Sequence, residues 1–170
     1  MKKLFSLILG IIISGQIFAA GCTIDPNNTQ FFSPSRDSIP CIERGVAYTQ
    51  VIQIHVPDNF DIAPFVGLPF PVLLTVDSMQ IDSITGFPNG ITYELNPANG
   101  HFSGGDNGCA LASGTTNDPA GNYPLTIHGT ISVSGIPQGF GFPSDTTFQL
   151  EQAQSMSGMF SLSVDVIEQG

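Results

Sequence analysis

Between Asp82 and Ile127 short apolar runs alternate with Gly-, Pro- and Asn-rich turns. Turns recur at the spacing of roughly 8–12 residues that an all-β sandwich requires. The stretch closes on Gly114-Thr115, then Gly121, Tyr123, Leu125, Thr126 and Ile127. Elsewhere the period of two is explicit. Val46, Tyr48, Ile52, Ile54 and Val56 fall on one face of an expected strand, with Thr49, Gln53 and His55 on the other. Leu125, Ile127, Ile131 and Val133 alternate with Thr126, His128, Thr130 and Ser132. Phe160, Leu162, Val164 and Val166 repeat the pattern against Ser161, Ser163 and Asp165. Further strands are expected at Val72–Val76, Gln80–Thr85, Ile91–Leu95 and Cys109–Ala112. Loops are expected over 58–69, over 96–108, where four glycines argue against a ladder, and over 135–143. Residues 146–157 are ambiguous, with a strand as one reading, and no amphipathic helix is expected anywhere.

The first residues read as a targeting segment. Lys2 and Lys3 precede an apolar run from Leu4 to Phe18, followed by Ala19, Ala20 and Gly21. The run has the length of a signal-peptide core and is short of the ~20 residues of a membrane span. A signal peptide over 1–21 and one domain over 22–170 are therefore expected, with 22–44 as an extended lead-in. Cleavage removes both lysines and leaves Arg36 and Arg44 against 14 acids. Such a chain repels phosphate backbones, so nucleic acid is not an expected partner.

Three cysteines, Cys22, Cys41 and Cys109, allow one internal disulfide. Pairing Cys22 with Cys41 would close a short N-terminal loop, a constraint of ~3 kcal/mol. In the alternative, Ala19-Ala20-Gly21-Cys22 is a lipoprotein cleavage site and Cys22 carries the anchor, the only route to a membrane.

Several phrases together resemble one family. They are Cys22-Thr-Ile-Asp-Pro-Asn, Ile39-Pro40-Cys41, the segment from Ser83 to Gly90-Ile91-Thr92-Tyr93, and Asn96-Pro97-Ala98-Asn99. Gly104-Gly105, Gly108-Cys109 and the phrase from Gly114 to Ile127 continue the likeness. The chain resembles exported proteins of Bacteroidetes-type bacteria with an immunoglobulin-like (Ig-like) β-sandwich, often followed by a type IX secretion sorting domain. Family members often carry cysteines where this chain has Leu95 and Gly100. The resemblance therefore implies that Cys109 has lost its partner and stands as a buried free thiol. The residues end at Gly170 without a sorting domain, which favours a periplasmic or lipid-anchored protein. Asp-Ser and Asp-Thr steps look like the O-glycosylation acceptors of such proteins, making Ser38, Ser78, Ser83 and Thr146 candidates. Partial burial would exclude Ser83.

Signatures of chemistry are sparse. No Gly-x-Ser-x-Gly elbow, His-x-x-x-His pair, phosphate loop or dinucleotide fingerprint occurs. His55 and His128 fall on expected solvent faces and His101 in a loop. No cofactor is implied. Asp25, Asp106, Asn107 and Asp118 have the oxygen donors calcium takes in loops, but their spacing is not that of an EF-hand and turn chemistry explains them equally. Phe140 and Phe142, in the loop 135–143, are the expected contact surface, unless they fold back over the end of the sandwich. The expectation is an all-β, immunoglobulin-like antiparallel β-sandwich behind a signal peptide. It would be a non-enzymatic module for structural or adhesive contacts with a protein or glycan ligand. Carbohydrate binding is the alternative, against which stand the absence of Trp and only three Tyr.

Overall fold

The computed structural model describes residues 21–63, 69–139, 143–157 and 161–170. In chain order the strands are β1 (Phe32–Ser33), β2 (Ile42–Glu43), β3 (Tyr48–His55), β4 (Asn59–Asp61), β5 (Leu73–Thr85) and β6 (Ile91–Asn96). They continue with β7 (His101–Ser103), β8 (Asn107–Gly114), β9 (Gly121–Ser134), β10 (Asp145–Gln149) and, after the helix α1 (Leu150–Ser157), β11 (Leu162–Ile167). One sheet has the order β1-β3-β8-β6. The other runs β2-β11-β9-β5-β4, with β10 also on β9 and β7 also on β5.

The inward faces are the ones the alternation marks. Tyr48, Ile52, Ile54 and Val56 are buried along and just beyond β3, and Ala110 and Ala112 on β8. Facing them from the larger sheet are Leu125, Ile127 and Val133 of β9 and Leu162, Val164 and Val166 of β11. Except for Ile52 these residues belong to a single core cluster, so the two sheets share one interior. Each large side chain withdrawn from water there contributes about 1.5–3 kcal/mol.

The expected strands Val72–Val76 and Gln80–Thr85 are one continuous strand. β5 pairs with β9 from Thr75 to Thr85, with register shifts between Val76 and Ser78 and between Ile81 and Ser83. Asp77 and Asp82 are the extra residues of two bulges. Each bulge flips the side-chain parity. Buried Leu74 and Val76 are therefore followed by buried Met79 and Ile81, and then by half-buried Ile84.

Three expectations need correction. The lead-in is built into both sheets: β1 pairs with β3, and β2 runs parallel to β11, so the pairing is not wholly antiparallel. Ile42 is fully buried, which an extended lead-in would not require. The glycine-rich loop joins the ladder through β7, whose Phe102 is buried against Gly108; a Cβ at Gly108 would collide with that ring. Residues 146–157 divide into β10 and the helix α1. The Gly114-to-Ile127 phrase leads from the end of β8 through a turn into β9. Gly90 holds φ +88° and its position admits no Cβ against the Thr115 carbonyl. The Gly45 N–H donates to the carbonyl of fully buried Thr116 at 2.7 Å.

Candidate binding groove at the β6 edge

β6 ends the four-stranded sheet, and among the described residues no strand pairs with its outer side. A groove of about 580 Å³ opens between β6 and the second half of β5. Gln80, Ile81 and Asp82 line one wall, Tyr93, Glu94 and Leu95 the other, with Ala98 and Asn99 at one end. The second bulge places Asp82 there, and the turn through Gly86 to Gly90 brings β6 alongside.

Most polar groups of the groove are committed. Gln80 Nε2 donates to the Asn99 carbonyl at 2.8 Å, and the Ile81 N–H to the Gly100 carbonyl at 2.8 Å. The Tyr93 hydroxyl accepts the Ile84 N–H at 2.8 Å, and its ring stacks on Phe87 at a centroid distance of 5.8 Å. The exposed carboxylates of Asp82 and Glu94 differ: among the described residues neither has a hydrogen-bond or ion-pair partner. Both arginines are occupied elsewhere, Arg36 with Asp37 and Arg44 with Glu168.

Beside the groove, the chain from Gly21 crosses the outer face of the four-stranded sheet. Asn96 Nδ2 donates to the Cys22 carbonyl at 3.1 Å, Gln53 Nε2 to the Thr23 carbonyl at 2.9 Å, and the Asp25 N–H to Gln53 Oε1 at 2.9 Å. Gly21 lies over Leu111 and next to Glu94. The strap is covalently fixed: Cys22 is bridged to Cys109 across a sequence separation of 87. This corrects the expected Cys22–Cys41 bridge and the expected free thiol at Cys109. Cys109 lies between core-facing Gly108 and Ala110, so it points outward to the strap, while Cys41 is exposed and free. A sulfur held in this bridge cannot also carry a lipid thioether.

The oxygen donors weighed for calcium are spread over the molecule, and the three aspartates serve the backbone. Asp25 Oδ1 accepts the Asn27 N–H, Asp106 Oδ2 the Ser103 N–H, and Asp118 Oδ2 the Asn89 N–H. Asn107 Oδ1 meets His55 Nδ1 at 2.7 Å. Among the described residues no group of three or more His, Cys, Asp or Glu is placed to hold a metal. Of the glycosylation candidates, Ser38 is exposed in a 3-10 turn, while Ser78, Ser83 and Thr146 are half-buried. Phe140 and Phe142 lie outside the described residues.

One arrangement was not expected from the sequence. Thr85 Oγ1 lies 2.8 Å from His128 Nε2, and His128 Nδ1 lies 2.8 Å from Glu151 Oε1 on α1. The Glu151 carboxyl is held below its ordinary value, first by a backbone hydrogen bond at its own position and next by the bond to His128. A hydroxyl–imidazole–carboxylate chain is also the skeleton of an activated nucleophile. Here it joins β5, β9 and α1, and Thr85 does not line the groove. Nearby, Gln154 receives the Ile127 N–H at 3.3 Å and donates to the Leu125 carbonyl at 2.7 Å. The helix thus completes the β9 edge where neither β10 nor β11 reaches. The tyrosine hydroxyls are likewise engaged: Tyr48 donates to the Pro40 carbonyl and Tyr123 to the Pro119 carbonyl. Burial, and secondarily the neighbouring Cys41, raise the Tyr48 phenol above its usual value.

Compared with known proteins, the chain matches no family model, no curated protein and no solved structure. The groove itself was missed by sequence reasoning. Its one legible trace is the parity slip around Asp82; that β6 is an edge is a property of strand order, which the local pattern does not carry.

Proposed function

We propose that this chain is an exported, non-enzymatic, immunoglobulin-like module that makes structural or adhesive contacts at the cell envelope or outside the cell. The observation that carries this reading is the bridge from Cys22, immediately after the leader-like segment, to buried Cys109. Structural disulfides of this kind persist in oxidising compartments. Two facing sheets around one core support the immunoglobulin-like assignment, and the resemblance to exported Bacteroidetes-type proteins belongs to the same proposal. The non-enzymatic part rests on His55 and His128, whose rings tie neighbouring elements together on the outside of the sheets. Contact with a partner then falls to the loops and the open sheet edge.

Intact mass spectrometry of the protein from its native cell fraction tests this. The expected species begins near Gly21, carries one disulfide and one alkylatable thiol, and is found with the envelope or the medium. Hexose-sized increments would map to Ser38. A full-length, fully reduced species in the cytosol would overturn the reading.

A further inference from the structure

We infer that the open side of β6 and the adjoining groove receive an extended, lysine- or arginine-bearing segment of a partner protein. The segment adds as a fifth strand to the four-stranded sheet and sets a cationic side chain against Asp82 and Glu94. The inference rests on reading the chain as an interaction module and names the chemistry of its partner.

Three independent observations converge here. First, a six-residue strand with one side unpaired among the described residues offers a row of backbone N–H and C=O groups, the template for strand addition. β10 also has an unpaired side, but the groove borders β6. Second, the groove is braced before any ligand arrives: Tyr93 is fixed by Ile84 and Phe87, and Gln80 by Asn99. A preformed wall spares the partner part of the ordering cost of binding. Third, the charge is one-sided. Among the described residues Asp82 and Glu94 have no counter-ion, and Arg36 and Arg44 are engaged elsewhere. With both arginines taken, these two exposed carboxylates are placed to complement a cation that a partner brings.

The test uses short capped peptides of alternating Thr and Val with Lys at the central position, and the same peptides with Glu or Gln there. They are titrated into the protein with its disulfide intact, and backbone amide shifts are followed by NMR. The Lys peptide is expected to saturate and to shift the amides of Ile91–Asn96. The double variant Asp82→Asn, Glu94→Gln should weaken it about tenfold, as two exposed ion pairs allow, and high salt should do the same. Both substitutions sit on exposed side chains, so an unchanged unfolding midpoint separates lost binding from lost fold. Three results would overturn the inference: no saturation at millimolar peptide, equal binding of the Glu or Gln peptide, or shifts confined to the β10 edge. Any of these, with an envelope location upheld by mass, removes the groove assignment alone and leaves the exported-module reading standing.

Discussion

Two short segments complete the sheets in contrasting ways. The strap from Gly21 to Asp25 lies across the outer face of the smaller sheet and is fixed by a covalent bridge. Helix α1 closes the middle of the β9 edge with side-chain hydrogen bonds through Gln154, Glu151 and His128, beside buried Leu150. The strap covers a face whose backbone is already paired, so it adds constraint. The helix covers an edge whose N–H and C=O groups would otherwise be unpaired, so it adds satisfaction. Constraint acts largely through the unfolded chain, and satisfaction through the folded one.

The sharpest way to break the contrast is Cys109→Ser. Losing a bridge across a separation of 87 residues should cost about 2–5 kcal/mol. Urea unfolding should show it, with reductant lowering the parent to the level of the variant and leaving the variant unmoved. The exposed thiol supplies the control, because Cys41→Ser should stay within about 0.5 kcal/mol.

Gln154→Ala probes the other side. It leaves the Ile127 N–H and the Leu125 carbonyl without their partner and should cost about 1–3 kcal/mol. Hydrogen exchange should accelerate at Ile127 while the β3 amides stay protected; uniform acceleration would show that α1 belongs to the same cooperative unit as the core.

A smaller effect tests how the rest of the N-terminal region is pinned. Tyr48→Phe deletes the bond to Pro40 and should cost about 0.5–1.5 kcal/mol. The folded Tyr48 phenol sits above its unfolded value, so its contribution is present below pH ~10 and fades as pH rises through the raised folded value. The phenylalanine variant should lack that part of the alkaline loss in a pH series of melts.

The gentlest probe is acid. Glu151 titrates below its ordinary value in the folded state, so what it contributes is present above the unfolded carboxylate pKa and is lost as pH falls through the folded one. The α1 amides should lose protection in that acid window, and Glu151→Gln should flatten the dependence.

The same contrast separates what the sequence discloses from what it conceals. β3, β9 and β11 are legible because one face of each meets the core and the other meets solvent, which writes a period of two into the residues. The bulges of β5 are legible too, once the slip from Leu74 and Val76 to Met79 and Ile81 is taken as an inserted residue rather than a gap between strands. The disulfide partner is not, because three cysteines allow three pairings and only tertiary structure brings Cys109 beneath Cys22. Helix α1 is short and joins β9 through polar side chains, so no apolar stripe announces it. The groove depends on which strand ends a sheet, and Asp82 and Glu94 become a pair only when β5 and β6 are set side by side.

The parallel pairing of β2 with β11 has a consequence for time. The partner of Ile42–Glu43 is Val166–Ile167, which lies far later in the chain. Until they arrive, fully buried Ile42 lacks the strand it pairs with, and the larger sheet lacks one margin. A chain whose early residues wait for its late ones closes through distant rather than local encounters.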